Sequence, residues 1–171
     1  MTIPQLLFTY LALAITILSL VVITRRNPVH AVLWMLVLFI HLAVLYLTLD
    51  AEFLAAIQMI IYAGAILVLF LFVIMLLDVK EAVAEKRFIS RWPIALVIGI
   101  GLMLFFILVL KETSIYPQLG PYSIERIQSE GNIMVIGRVL YTDYLLPFEI
   151  ASVVLLVAII GAVVLAKRRI D

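Results

Sequence analysis

Four polar side chains stand inside long apolar stretches of this 171-residue sequence: His41, Gln58, Tyr62 and Glu149. Charging a side chain at the centre of a bilayer costs about 2.5–3.5 kcal/mol even on lenient scales, so such residues are rare and usually functional. Their chemical types suit hydrogen bonding between helices or the movement of protons. Two histidines without neighbouring cysteines or a carboxylate pair do not indicate a metal site.

Gln58 and Tyr62 are one helical turn apart, and Tyr62 lies about 14 Å inside the start of its apolar run, near the bilayer midplane. Helical spacing predicts one face of small and polar residues, formed by Ala55, Gln58, Tyr62, Ala65 and Leu69. Two interpretations are open. The face packs closely against another helix through hydrogen bonds, or it marks a place where the helix changes shape or admits water.

Three residues with almost no side chain, Ala63-Gly64-Ala65, follow Tyr62 directly. Glycine costs about 1 kcal/mol relative to alanine inside a helix, and little side-chain bulk here opposes local rewinding. An inserted residue, called a π-bulge, would turn the rest of the helix by about 100° and free a backbone carbonyl. In lipid that carbonyl needs a neighbouring helix or ordered water.

The other two polar residues have simpler expectations. His41 lies about 20 Å along its apolar run, and it either packs as a neutral, hydrogen-bonded side chain or relays protons. Glu149 follows Pro147 near the start of the last apolar run, with Ser152 on the same face. An acid in the first turn complements the helix dipole, so Glu149 is expected to have a capping role, and the alternative is a place in a proton path or in polar packing between helices.

The composition is that of a membrane protein. Hydrophobic residues make up 67% of the sequence and charged residues 13%, against about 25% charged residues in soluble domains. A net charge of +1 indicates no nucleic-acid partner. The sequence contains no cysteine, which excludes disulfides, thiolate zinc sites and cysteine-ligated iron–sulfur clusters.

Five apolar runs are long enough to cross a bilayer as helices, which takes about 20 residues each: Gln5–Ile23, Pro28–Leu49, Phe53–Leu77, Pro93–Leu110 and Phe148–Ala166. The predicted fold is therefore an all-α integral membrane protein with a single membrane domain over residues 1–171. Asn27-Pro28 predicts the start of the second helix. Within the long connection 111–147, the stretch NIMVIGRVLYTDYLL is amphipathic enough to lie in the membrane interface or against a neighbour.

The basic residues predict the orientation of the chain, because Lys and Arg stay on the cytoplasmic side. One side holds nine of them: Arg25, Arg26, Lys80, Lys86, Arg87, Arg91, Lys167, Arg168 and Arg169. The other side holds three: Lys111, Arg126 and Arg138. We therefore expect the N-terminus outside and the C-terminus in the cytoplasm.

Three segments together resemble a known family: NPVHAVL, AEFLAAIQMIIYAGAILVLFLFVIMLL and LYTDYLLPFEIASVVLLVAIIGAVVLA. They are similar to the J subunit of bacterial NADH-quinone oxidoreductase, the respiratory complex I subunit whose mitochondrial counterpart is NADH dehydrogenase subunit 6. The likeness spans the five-helix layout and is most specific at YAGAI in the third helix; the long loop matches poorly.

The resemblance implies a mechanical role for the third helix. In this family that helix carries a π-bulge where the quinone-side helices join the antiporter-like subunits, and its change between α and π forms is linked to opening a water path for protons. By position, the bulge would comprise Tyr62, Ala63, Gly64, Ala65, Ile66 and Leu67. Gly64 would be the permissive residue and Tyr62 the polar wall of the path. Some family members have glutamate where Gln58 stands, and glutamine cannot carry a proton; Glu149 matches without an implied task.

The resemblance further implies a subunit without an active site of its own, in the cell inner membrane. NADH, FMN, iron–sulfur clusters and quinone would be bound by other subunits, and the partners would be the quinone-site and antiporter-like subunits and the lipid bilayer. The same module in a ferredoxin- or hydrogenase-linked relative is an alternative. A stand-alone small transporter is another, although the sequence shows no repeat and no midplane carboxylate. A purely structural assembly role is the third.

Overall fold

The computed structural model describes residues 2–77, 92–112 and 122–167. The regular structure of these residues is helical: α1 (Ile3–Thr24), α2 (Pro28–Thr48), α3 (Glu52–Leu76), α4 (Trp92–Glu112), α5 (Ile124–Glu130), α6 (Asn132–Tyr141) and α7 (Leu145–Ala166). The five predicted spans are confirmed as helices α1, α2, α3, α4 and α7, each long and apolar enough to cross a membrane. The connection 78–91 and residues 168–171, which hold six of the nine basic residues assigned to the cytoplasmic side, lie outside the described residues.

The ends of α2 are fixed by local hydrogen bonds. At its start the Asn27 side-chain oxygen accepts a hydrogen bond from the Val29 N–H at 2.9 Å, with Pro28 in the first turn, as the sequence predicts. At its end the Ala51 N–H donates to the Tyr46 carbonyl at 3.0 Å. Asp50, at φ 55°, makes the left-handed turn of this Schellman motif. The tight turn brings α3 back along α2.

The chain divides into two compact units, Met1–Leu119 and Gly120–Asp171. In the first unit α2 is the central helix, because it packs against α1 on one side and along α3 on the other. Its buried apolar side chains come from these three helices: Leu11, Leu18, Val32, Ala43, Ala55, Ala63 and Leu67. The side chains of α4 described by the structure are all exposed. Such an apolar surface suits lipid or other protein helices.

In the second unit α6 packs against both α5 and α7. Helix α7 begins at Leu145, three residues before the predicted start at Phe148, since Pro147 is tolerated in a first turn whose N–H groups have no helical partner. Glu149 therefore lies in the second turn of α7. The expected first-turn capping role of Glu149 is wrong for this reason, and the first turn of α7 contains no acid.

Candidate functional site in the third helix

Helix α3 changes its winding in the middle. Residues Glu52–Ile57 and Leu67–Leu76 are α-helical, whereas Gln58–Ile66 form a nine-residue π-helix. The Leu67 N–H donates to the Tyr62 carbonyl, five residues earlier, which is the bond that defines a π turn. This π segment contains five of the six residues for which the resemblance implies a bulge; Leu67 opens the α-helix that follows.

Gly64 has a specific steric role in the π segment. A Cβ atom added to Gly64 would lie 3.3 Å from the Met59 carbonyl oxygen, five residues earlier in the chain. That distance is shorter than an ordinary contact of a Cβ atom, 3.4–4 Å, so the carbonyl would have to shift by a few tenths of an ångström. The π turn therefore brings the backbone of residue 64 close to a carbonyl, and glycine accommodates the approach without displacement.

The π segment changes which side of α3 faces α2. The buried residues are Ala55, Gln58, Ala63 and Leu67, each exposing 6% or less of its surface. Between Gln58 and Ala63 the spacing is five residues instead of the three or four of an α-helix. Beyond Gln58 the buried line departs from the predicted face: Tyr62 stays at the groove with 45% of its surface exposed, whereas Leu69 is 65% exposed and Ala65 is exposed too.

A groove between α2 and α3 contains the polar residues of this site. Its volume is about 410 Å³, and we call it the Gln58 groove; it is lined by Phe39, Leu42, Tyr46, Leu54, Ile57, Gln58 and Tyr62. Among the described residues, Gln58 is the one polar residue that is buried. The Tyr62 ring packs edge-on against Phe39, with ring centroids 6.0 Å apart.

The polar groups of the Gln58 groove have hydrogen-bond donors and acceptors that are not used within the described structure. Within residues 2–77, 92–112 and 122–167, neither the Gln58 amide nor the Tyr62 hydroxyl has a hydrogen-bond partner. A polar group without a partner costs several kcal/mol in a hydrocarbon environment. An amide offers two donors and an acceptor, and a phenol offers one donor and an acceptor. Chemically, the groove is suited to hold water or a polar side chain of a neighbouring protein.

His41 lies outside this groove and has partners of its own. Its Nδ1 is 2.8 Å from the Val37 carbonyl, one turn earlier in α2, and its Nε2 is 3.5 Å from the Tyr10 hydroxyl of α1. Because a carbonyl only accepts, Nδ1 carries the proton, and in the neutral ring Nε2 then accepts from Tyr10. This arrangement is the hydrogen-bonded packing that was one of the two expectations for His41.

The structure thus brings together only two of the four polar residues singled out in the sequence, Gln58 and Tyr62. Glu149 is exposed on α7 in the second unit, and its carbonyl accepts a hydrogen bond from the Ser152 hydroxyl at 2.7 Å. Tyr10 was missed. A signal for it exists, because Tyr10 lies seven residues after the start of α1 and His41 lies seven before the end of α2, which gives equal depths in antiparallel helices.

Comparison with known proteins places these features in a family. Residues 18–165 match the family model described as NADH-ubiquinone/plastoquinone oxidoreductase chain 6. NADH-quinone oxidoreductase subunit J of Rickettsia felis is 39% identical, over 95% of this chain and 80% of the relative. NADH-ubiquinone oxidoreductase chain 6 of Chondrus crispus is 37% identical, over all of this chain and 87% of the relative. Subunit J of Rhodobacter capsulatus is 35% identical, over 99% and 84%. The chain belongs to the NADH-ubiquinone/plastoquinone oxidoreductase chain 6 family, which includes the bacterial J subunits.

Proposed function

We propose that this chain is a membrane-arm subunit of a proton-translocating NADH:quinone oxidoreductase, and that its π segment 58–66 is a hinge that couples quinone reduction to proton movement. The names of its relatives support the first part. One observation carries the second: Gln58, a residue with 6% of its surface exposed, stands at the start of the π segment and lines the open groove with its polar side chain. A scaffold alone does not require a polar side chain at that place.

The hinge acts by changing which residues face α2. If the π segment rewinds into an α-helix while Ala55 and Gln58 stay in place, the spacing beyond Gln58 returns to three or four residues. Tyr62 and Leu69 then turn further toward α2, and Ala63 and Leu67 turn away from it. The Tyr62 ring, which lines the edge of the Gln58 groove beside Phe39 in the π form, moves deeper into the groove in the α form.

This exchange controls water in the groove. With Tyr62 at the edge of the groove, as in the π form, the Gln58 amide has room to bind water, and an ordered chain of water molecules moves protons between partners. Gln58 orders the water without giving up a proton of its own, since an amide does not act as an acid. With Tyr62 turned inward, the ring displaces water and closes the path.

The rest of the reaction belongs to other subunits. The sequence has no cysteine to ligate an iron–sulfur cluster and no G-x-G-x-x-G segment to bind a dinucleotide, so NADH, FMN, the clusters and quinone are bound elsewhere in the complex. The partners of this chain are the quinone-site and antiporter-like subunits. It lies in the inner membrane with its N-terminus outside and its C-terminus in the cytoplasm.

A pair of substitutions at Gln58 in the assembled enzyme tests the proposal. Gln58→Leu fills the same volume without hydrogen bonds and is expected to slow proton delivery about tenfold, the effect of one lost hydrogen bond of about 1.4 kcal/mol. Gln58→Glu keeps a hydrogen-bonding group and is the matched control. The readout is protons translocated per electron transferred from NADH to quinone. Full coupling in the leucine variant of an intact complex would remove the groove from the proton path.

A further inference from the structure

The second unit carries a cluster of charges that the proposed hinge does not use. Glu130, at the end of α5, accepts hydrogen bonds from Arg126 Nε and from Arg138 Nη1, both at 2.8 Å. The bond to Arg138 crosses the turn at Gly131, whose φ of 87° directs α6 back toward α5. Two guanidinium groups share one carboxylate, so the cluster has a net charge of +1.

Helix α6 presents two different faces. Val135 is buried against its own unit, with 6% of its surface exposed. On the flank next to Val135, Met134, Arg138 and Tyr141 follow one another at spacings of four and three residues and so line up along the helix. Met134 and Tyr141 are each 61% exposed, and the Arg138 side chain is 50% exposed. We call these three residues the α6 outer face.

The α6 outer face is tied to the start of a membrane span. The Tyr141 ring packs edge-on against Phe148, the fourth residue of α7, with ring centroids 5.1 Å apart. Only residues 142–144 separate α6 from α7. Tyrosine and arginine near the ends of transmembrane helices typically lie at the level of the lipid headgroups, which sets the depth of this face.

We propose that the α6 outer face binds the headgroup of an anionic phospholipid, with Arg138 on the phosphate and Met134 and Tyr141 against the upper part of the acyl chain. Guanidinium groups bind phosphate with two parallel N–H donors, and Arg138 uses only its Nη1 on Glu130 among the contacts described for it. Arg126, which lies over the Tyr122 ring at 5.5 Å, adds positive charge beside it. The exposed apolar side chains on both sides of Arg138 favour a lipid over a soluble anion.

Photo-crosslinking in the assembled complex identifies what lies against this face. A benzophenone amino acid replaces Met134, and the complex is reconstituted in vesicles with a known ratio of phosphatidylcholine to phosphatidylglycerol. Irradiation followed by mass spectrometry reads the adduct. We expect phosphatidylglycerol adducts about fivefold above the share of that lipid in the vesicle, the effect of one basic residue near an anionic headgroup.

Two further variants assign the effect. Arg138→Gln should return the adducts to the composition of the vesicle, whereas Lys111→Gln, which removes a basic residue at the end of α4, should leave the enrichment intact. Adducts in proportion to the vesicle lipids, or adducts to a partner subunit, would overturn the proposal. Loss of the enrichment on adding inorganic phosphate would do so as well, because the site would then belong to a soluble anion.

Discussion

Two pairs of polar side chains in the first unit, Tyr10–His41 and Gln58–Tyr62, differ in how their hydrogen bonds are met. In the first pair His41 bonds to the Val37 carbonyl and to Tyr10, so each ring nitrogen has a partner. In the second pair 6% of the Gln58 surface is exposed, and neither the amide nor the phenol has a hydrogen-bond partner among the described residues. Both pairs lie in apolar helices that pack against each other through α2.

The backbone beneath each pair explains the difference. Tyr10 and His41 stand on regular α-helices, α1 and α2, where their rings meet at a centroid distance of 6.2 Å. Gln58 and Tyr62 stand on the π segment, which turns Tyr62 away from the buried line that an α-helix would give it. A satisfied pair on regular helices joins the helices. An amide that lines an open groove on a distorted helix leaves capacity for water.

The largest effect is expected from Gly64→Leu, because the added side chain would destabilise the π winding of residues 58–66. The new Cβ would lie 3.3 Å from the Met59 carbonyl oxygen, and overpacking costs about 1–3 kcal/mol. The balance between π and α forms should therefore shift about tenfold to a hundredfold toward α. We expect fewer protons translocated per electron in the assembled complex, measured in sealed vesicles.

Gly101→Leu is the matched control for that substitution. It adds the same side chain to an apolar helix, but beyond the backbone of its own helix turn a Cβ at Gly101 meets no atom within 4 Å in the described structure. Coupling should stay at the level of the unsubstituted enzyme. If both variants assemble and pump equally well, the third helix does not work as a hinge and the scaffold interpretation is favoured.

A smaller effect is expected from Tyr10→Phe, which removes the hydroxyl that bonds to His41. One hydrogen bond contributes about 1 kcal/mol, so the thermal midpoint of the complex should fall slightly while protons per electron stay the same. Comparing the two variants then shows whether Tyr10–His41 only stabilises the protein while Gln58–Tyr62 takes part in coupling. A loss of coupling in Tyr10→Phe would erase the distinction between the two.

The smallest effect concerns pH and the ion pairs of the second unit. The hydrogen bond from Arg126, aided by the charges of Arg126 and Arg138, lowers the pKa of Glu130 from its ordinary 4.5. A carboxyl group whose pKa is lowered on folding stabilises the fold above pH 4.5, and this contribution is lost as pH falls through the lower, folded pKa. Amide exchange of α5 and α6, corrected for intrinsic rates, should be flat from pH 8 to about pH 5 and rise below about 4.5.

Glu130→Gln is the control for the pH experiment. It lacks the titrating group and should show raised exchange at neutral pH with no further rise on acidification through this range. A rise of the same size in both proteins would assign the pH dependence to another group, such as Glu125, whose pKa is lowered mainly by a backbone hydrogen bond and then by Ser123.

The sequence predicted the helices well because hydrophobic length and capping residues are local signals. Five apolar runs became five helices, and Asn27-Pro28 began α2 where expected. The predicted start of α7 was wrong because a proline stands close to it. Helix α7 begins before Pro147, since the N–H groups of a first helical turn have no partner within the helix and a proline there loses no hydrogen bond. That shift of three residues was enough to remove Glu149 from a capping position.

The site was predicted less completely than the helices. Gln58 and Tyr62 were singled out by their polarity, but the buried face was derived from a regular period of 3.6 residues. A π turn breaks that period, and the spacing of Gln58 and Ala63 is visible only once the backbone is known. The partners Phe39 and Tyr46 come from α2, and long-range pairing of helices is not encoded in the local pattern of α3.

The most direct test of the hinge is a structure of the assembled complex at rest and during turnover, with resolution sufficient to assign the backbone hydrogen bonds of residues 58–67. The account predicts the π segment with Ala63 against α2 at rest. During turnover it predicts a second population in which residues 58–67 form α-helical bonds from each N–H to the carbonyl four residues earlier, and Tyr62 takes the buried place of Ala63 against α2. The same π segment, with the same buried residues, in every state of the working enzyme would contradict the account.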